Sequence, residues 1–102
     1  MTLDFTPHDR DAQACLLEAS RDGMEHLLVY DAETGDRLCL HTDRAKRKVA
    51  FPAAIRPLLS DPRRRLVAHH NHPGGEPPSS GDVIALWRFP GLLALWVHTI
   101  DG

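Results

Sequence analysis

The segment that most constrains the fold of this chain is the one that leads into two closely spaced histidines. From Arg65 to Asn71, apolar side chains occupy both alternating sets of positions, with Leu66 and Ala68 in one set and Val67 in the other. A strand that is apolar on both faces is typical of the middle of a sheet whose two faces are both covered. The pattern therefore predicts a sheet with helices packed on it, which is an α/β fold.

The composition fits a single soluble domain. The chain has 102 residues, of which 42% are hydrophobic and 25% charged, and this is enough for one modest core. The formal net charge of -2 does not indicate a nucleic-acid partner or an anionic membrane surface. No apolar run approaches the ~18 residues that span a bilayer, and Met1 to Arg10 lacks the apolar core of a secretory signal. We therefore expect a cytoplasmic protein without a membrane partner.

The two cysteines give little indication of a disulfide framework or a metal site. Cys15 and Cys39 form no C-x-x-C pair, and they lie 24 positions apart in the chain. Two reduced and mostly buried thiols, as in a cytosolic protein, are therefore expected. A disulfide between them is the less favoured alternative.

Helical spacing and turn residues predict the elements of the first half of the chain. Residues 1–8 form a loose N-terminal lead-in, and Asp9 to Arg21 forms a helix that ends before Asp22-Gly23. Met24 to Asp31 is apolar enough for a buried strand, and Arg37 to Thr42 is expected to return beside it as a hairpin.

The second half places further elements around the strand that ends at Asn71. Lys48 to Phe51 is a candidate third strand, and Pro52 to Leu59 is a candidate helix that Pro57 shortens or bends. After a loop rich in glycine and proline, Ser79 or Ser80 caps another helix. Leu92 to Ile100 is the last strand. This order predicts a mixed sheet flanked by helices in one domain.

His70 and His72 form a candidate metal site. Side chains two residues apart on an extended segment point to the same side, so both imidazoles can reach one ion. Pro73 favours extended backbone at His72, and Asp82, ten residues after His72, supplies a carboxylate from the first turn of the predicted helix. Three protein ligands leave one tetrahedral position of zinc open, which is typical of a catalytic rather than a structural site.

A zinc ion held in this way would require two further groups for hydrolysis. Zinc lowers the pKa of bound water to around 7 and polarises a carbonyl, so the site needs a base and a donor to the oxyanion. Ser79, about one helical turn before Asp82, is the candidate donor. Glu76 is the one carboxylate of the motif that is not used as a ligand, and its loop position favours a base from elsewhere in the chain.

The run His70-Asn71-His72-Pro73, followed by Ser79-Ser80-Gly81-Asp82, resembles the signature of the JAMM zinc metalloproteases, also called JAB or MPN+ domains. That signature is a distant glutamate, then H-x-H-P, a loop and S-x-x-D. The letters HNHP followed by glycine are most similar to the prokaryotic branch, which includes RadC-like proteins and the JAB domains of phages. The resemblance extends over most of the chain, from about Glu25 to Asp101.

This resemblance implies a fold, an activity and a set of site residues. The fold is the JAB/MPN sandwich, similar to cytidine deaminase, over residues 9–102. The activity is zinc-dependent hydrolysis of a peptide or isopeptide amide, with a peptide or a protein conjugate, including ubiquitin-like conjugates, as the substrate. The implied zinc ligands are His70, His72 and Asp82, the implied supporting serine is Ser79, and the family glutamate corresponds in position to Glu25.

Several of these residues have alternatives. The loop before the serine is one residue shorter than in many members, and Ser79 rather than Ser80 keeps the S-x-x-D spacing; Ser79 is also a suitable helix N-cap. His69 has the opposite parity to His72, which favours a buried core residue over a ligand, and His98 is expected to be structural. The alternatives to Glu25 as the base are Glu18, Glu33 and Glu76.

Three other functions compete with this hypothesis. A RadC-like accessory module would act around nucleic acid through the basic runs Arg44–Lys48 and Arg63–Arg65. Neither run contains an aromatic residue and the total charge is negative, which favours solvated loops and no nucleic-acid partner. A non-catalytic interaction domain would be marked by lost ligands, and all three are present. A zinc deaminase is disfavoured because the P-C-x-x-C pair is absent.

Overall fold

The protein is described here by a computed structural model, which describes residues 5–44, 49–73 and 88–98. These residues form a four-stranded mixed sheet with helices on its faces, so the predicted α/β class is confirmed. The strand order is β2-β1-β3-β4. The elements are α1 (Pro7–Ala19), a 3-10 turn (Ser20–Asp22), β1 (Leu27–Asp31), β2 (Arg37–His41), α2 (Arg56–Leu59), β3 (Leu66–Asn71) and β4 (Leu92–His98).

Helix α1 begins two residues earlier than predicted because Thr6 caps it. The Asp9 amide donates to Thr6 Oγ1 at 3.2 Å, and the Thr6 amide donates to Asp9 Oδ2 at 2.8 Å. This reciprocal pair is a capping box, and it satisfies two amides that a helix start leaves without partners. Pro7 is at the start of the helix, where its missing N–H costs nothing. Gly23 ends the helical region with a left-handed φ of 78°.

Strand β3 lies in the middle of the sheet, as predicted. It pairs antiparallel with β1 and parallel with β4, and all six of its residues are buried. Strand β1 also pairs antiparallel with β2, which confirms the predicted hairpin. Strand β1 begins at Leu27, three residues later than predicted, because residues 24–26 lie outside the regular ladder.

For the segment before β3, the predicted strand is wrong, and the predicted helix is confirmed in a shortened form that ends at Leu59 as expected. Val49 to Phe51 is not a strand, since the Ala50 amide donates to Asp43 Oδ2 at 2.8 Å instead of to a neighbouring strand. Helix α2 is limited to Arg56–Leu59, and Pro57 lies in its first turn. Proline is tolerated there because first-turn amides have no partner within the helix, so Pro57 starts the helix rather than bending it.

The side chains that alternate along the strands divide the core between the two faces of the sheet. On one face, the cluster formed with α2 includes Leu27, Val29, Ile55, Leu59, Leu66, Ala68 and Leu92. On the other face, the cluster formed with α1 includes Ala12, Leu16, Leu28, Tyr30, Val67 and Ala94. We refer to these as the α2 face and the α1 face. Side chains of β3 with even numbers therefore lie on the α2 face, and those with odd numbers on the α1 face.

The structure bears on the expected state of the cysteines and on the expectation of no membrane-spanning helix. Cys15 and Cys39 are both free thiols, as predicted, although each is half-buried rather than fully buried. Across residues 5–44, 49–73 and 88–98, none of the helices has both the length and the apolar character needed to cross a bilayer.

A buried polar chain on the α1 face joins the helix to the sheet. His69 Nε2 lies 2.8 Å from Asp9 Oδ1, and the Tyr30 hydroxyl donates to the same oxygen. His69 Nδ1 lies 2.7 Å from His98 Nε2, and His98 Nδ1 lies 3.3 Å from Gln13 Nε2. Because the carboxylate only accepts, the hydrogen bonds of neutral histidines must run in one direction, from Gln13 through His98 and His69 to Asp9. The predictions of a buried His69 and a structural His98 are confirmed.

Burial sets the protonation states along this chain. It lowers the pKa of His69, and it lowers that of His98 to about 4, where the neighbouring histidines add to the effect. Burial opposes the charge on Asp9, but hydrogen bonds from Tyr30, Thr6 and His69 hold the pKa of this carboxyl below its usual value. Both histidines are therefore neutral at pH 7, and within this polar chain only Asp9 is charged.

Replacing Tyr30 by Phe tests whether this chain stabilises the fold. The variant keeps the ring but removes the donor to Asp9, whose side chain is buried. We expect the free energy of unfolding in urea to fall by roughly 1–3 kcal/mol. Ser20→Ala, which removes an exposed hydroxyl bonded to Leu17 O, is the matched control and should cost less than about 0.5 kcal/mol. Equal midpoints for the two variants would contradict the stabilising role.

The low pKa of His98 predicts a dependence of stability on pH. The folded value of about 4 lies below the ordinary 6.5, so the unfolded chain binds this proton more readily. The stabilisation present above pH 6.5 is therefore lost as the pH falls toward 4. Urea unfolding should show a loss on the order of 3 kcal/mol from this group across that range.

The control for that measurement is His98→Gln, which keeps a donor toward His69 Nδ1 but cannot titrate in this range. The free energy of unfolding of this variant should fall less steeply with decreasing pH than that of the natural protein. The same decline in both proteins would show that His98 does not control the acid sensitivity.

Candidate metal site at the end of β3

Three of the residues singled out in the sequence meet where β3 ends. His70 Nε2 lies 2.8 Å from His72 Nε2, and the two imidazole rings are 4.7 Å apart between centroids. His72 Nε2 lies 4.0 Å from Glu25 Oε1. All three residues are buried, with 8% of Glu25, 5% of His70 and 7% of His72 exposed. The structure therefore brings together the two predicted imidazole ligands and the predicted base.

The register between β1 and β3 explains this meeting. Leu27 lies opposite His70, and Leu28 lies opposite His69. Continuing the same antiparallel register by two residues places Glu25 opposite His72, although the two residues lie 47 positions apart in the sequence. Because His70 follows Ala68 by two positions, its side chain lies on the α2 face, opposite to the polar chain around His69.

Two further side chains hold the segment that carries Glu25, and neither was singled out in the sequence. Asn71 Oδ1 accepts from the His26 amide at 2.7 Å, and Asn71 Nδ2 donates to Met24 O at 3.0 Å. Thr42 Oγ1 donates to Glu25 O at 2.7 Å. One signal was present in the sequence, since an asparagine within a buried strand requires partners for its amide group.

The donor set at this point fits zinc. Imidazole nitrogens bind zinc at about 2.0–2.1 Å, so two of them on a tetrahedral ion lie roughly 3.3 Å apart. The His70 and His72 Nε2 atoms lie at a hydrogen-bonding distance of 2.8 Å, so zinc would require them to separate by about 0.5 Å. A carboxylate within 4.0 Å of His72 adds negative charge, which favours a divalent cation.

Asp82, Ser79, Ser80 and Glu76 lie outside the described residues. Within residues 5–44, 49–73 and 88–98, no group of three or more His, Cys, Asp or Glu side chains is arranged to hold a metal ion. The described part of the site therefore consists of two imidazoles and one neighbouring carboxylate.

Two of the alternative bases lie away from the histidines. Glu18 is on the exposed side of α1, where its side chain is 67% exposed and pairs with Arg21 at 3.1 Å. Glu33 is exposed in the turn between β1 and β2, at the end of β1 opposite to Glu25. Among these three glutamates, Glu25 is the one that lies beside the imidazoles.

The basic runs are separate from this site where the structure describes them. Arg63, Arg64 and Arg65 are exposed, and Arg63 pairs with Asp61 at 3.1 Å. Arg44 is exposed as well, and residues 45–48 lie outside the described chain. The exposure of these four arginines is consistent with solvated loops.

The chain was compared with protein-family models, curated proteins and solved structures. No protein-family model matches the chain, and no curated protein and no solved structure matches it.

Proposed function

We propose that this protein is a zinc-dependent metallohydrolase that cleaves a peptide or isopeptide amide. The observation that carries the proposal is the convergence of the His70 and His72 Nε2 atoms, with the Glu25 carboxylate beside them and all three residues buried at the end of β3. Two facing imidazoles next to a carboxylate are the donor types of a catalytic zinc site rather than of a structural one.

His70, His72 and Asp82 would hold the ion. The first two project from the end of β3, and Asp82 would complete the set from the segment that follows the Gly- and Pro-rich loop. When bound, zinc supplies Lewis-acid polarisation of a carbonyl oxygen and lowers the pKa of water. The imidazoles are held in place by the register of β3, which is buried along its whole length.

Glu25 would act as the general base. Its carboxylate lies 4.0 Å from His72 Nε2, close to the proposed ion but outside hydrogen-bonding distance of that nitrogen. From this place its oxygen can accept a proton from the attacking water and then deliver it to the leaving amine. Its burial beside a proposed zinc ligand suits this task, since the base takes up and releases one proton in each turnover.

Ser79 would stabilise the oxyanion. Its spacing to Asp82 places its hydroxyl about one helical turn before that ligand, if the helix predicted for this segment forms. A hydroxyl in this place can donate to the oxygen that gains charge when water adds to the carbonyl. The same hydroxyl can also cap the helix, and the two roles are compatible.

The resemblance to JAMM metalloproteases supports the same assignment. The observed order of a helix, a hairpin, a short helix and a buried strand that ends in His-x-His is compatible with the JAB sandwich. The signature residues His70, His72, Ser79 and Asp82 and the upstream Glu25 are all present in the sequence. The substrate class that follows is a peptide or a protein conjugate, including a ubiquitin-like one.

Metal analysis of the purified protein tests the ligand set. We expect about one zinc per chain in the natural protein, and loss of most of it in Asp82→Ala, because two neutral imidazoles alone bind zinc weakly. Asp36→Ala, which removes an exposed carboxylate from the turn before β2, is the matched control and should retain zinc. A natural protein that is folded and binds no zinc would refute the proposed function.

Replacement of Glu25 by Gln separates metal binding from catalysis. The variant should keep its zinc but lose a factor of roughly 100 to 10,000 in turnover, because the base is removed while the ligands stay. Suitable probes are a set of internally quenched peptides and a branched peptide that carries Gly-Gly on a lysine Nε atom.

The control for this variant is Glu33→Gln, which should hydrolyse the probes like the natural protein. Full activity of Glu25→Gln would refute the assigned base. A zinc-loaded natural protein that cleaves neither probe would favour a non-catalytic domain with a retained metal.

A further inference from the structure

The main chain that carries Glu25 is held by side chains rather than by the regular strand ladder. Strand β1 begins at Leu27, so residues 24–26 precede its first pairing with β2 and β3. A segment just beyond the end of a ladder frays easily unless its peptide groups find other partners. The Met24 amide donates to Asp22 Oδ1 at 2.8 Å in the preceding turn. Three further main-chain groups of this segment bond to side chains, two to Asn71 on the β3 side and one to Thr42 on the β2 side.

Asn71 supplies two of these hydrogen bonds. Its Oδ1 accepts from the His26 amide at 2.7 Å, and its Nδ2 donates to Met24 O at 3.0 Å. Asn71 is 4% exposed, so both bonds are shielded from water. The side-chain amide thus replaces a strand neighbour for the peptide groups on both sides of Glu25, and it comes from the residue between the two histidines.

Thr42 supplies the third hydrogen bond from the opposite side. Its Oγ1 donates to Glu25 O at 2.7 Å and accepts from the Arg44 amide at 3.0 Å. Because the Arg44 amide occupies a lone pair of this oxygen, the hydroxyl proton is directed to Glu25 O.

We propose that Thr42 and Asn71 are positioning residues that hold Glu25 in place beside His72, and this inference rests on the proposed function of Glu25 as the base. Together they bond to the carbonyl of Glu25 and to the peptide groups of its two neighbours. Because the main chain of Glu25 is held from both sides, its carboxylate stays beside His72. Proton transfer depends steeply on such placement, because a shift of about 1 Å can reduce turnover roughly a hundredfold.

The alternative is that these hydrogen bonds serve stability alone. In that case their loss would lower the unfolding midpoint but leave the turnover number of the folded, zinc-loaded protein unchanged. A positioning role predicts a lower kcat at an unchanged KM and an unchanged zinc content, because substrate and metal contact other groups.

Thr42→Val and Thr42→Ser form the test pair. Valine keeps the shape of threonine without its hydroxyl, and serine keeps the hydroxyl without the methyl group. On the quenched and branched peptides, Thr42→Val should lower kcat roughly 10- to 100-fold, with KM and zinc content as in the natural protein. Thr42→Ser should restore most of the kcat. A Thr42→Val variant with the kcat of the natural protein would overturn the inference.

Amide hydrogen exchange gives a second readout that needs no substrate. The His26 amide bonds to a buried side chain and should exchange slowly in the natural protein. In Thr42→Val it should exchange at least about tenfold faster, while amides in the middle of β3 keep their protection. Asn71→Leu, which removes both of its hydrogen bonds, should have a larger effect on the same amide.

The two readouts distinguish failure of this inference from failure of the proposed function. If the natural protein binds no zinc and cleaves neither probe, the proposed function fails, and exchange at His26 decides whether Thr42 and Asn71 hold the segment. Faster exchange in Thr42→Val then supports the holding role, and unchanged exchange overturns it.

Discussion

The antiparallel pairing of β1 with β3 is the constraint on which the candidate site depends. It sets Leu27 opposite His70, and the segment just before Leu27 then brings Glu25 Oε1 to 4.0 Å from His72 Nε2. A slip of one residue would move the side chains of one strand to the other face, and would separate the carboxylate from the imidazoles. The apolar side chains of β1 and β3 resist such a slip because both faces of both strands are buried. The same packing that stabilises the sheet therefore also assembles the site.

Alternation along β3 gives neighbouring histidines different roles. His70 lies on the α2 face with its imidazole against that of His72, whereas His69 lies on the α1 face and bonds to Asp9 and His98. The α1-face chain is satisfied by protein groups, and it ties α1 to β3 and β4. The polar chain stabilises β3 from the α1 face, and β3 in turn supports the His70 and His72 imidazoles.

Local patterns predicted part of this arrangement, and the rest depends on long-range pairing. The two apolar faces of β3 predicted its central place, and the spacing of His70 and His72 predicted that their rings meet. The place of Glu25 beside His72 could be inferred only from a family resemblance, because no local pattern specifies which strands pair.

Val49 to Phe51 has the composition of a strand, but the Ala50 amide donates to the Asp43 carboxylate instead of to a neighbouring strand. The roles of Thr42 and Asn71 were not predicted, because their partners are main-chain groups of residues 24–26, which are distant in the sequence.

X-ray absorption at the zinc edge of the zinc-loaded protein tests the central claim most directly. A site built on His70 and His72 predicts nitrogen and oxygen donors at about 2.0–2.1 Å, with the outer-shell scattering of two imidazole rings. Sulfur donors at about 2.3 Å, or a spectrum without imidazole scattering, would contradict the account because the ion would then be bound elsewhere in the chain.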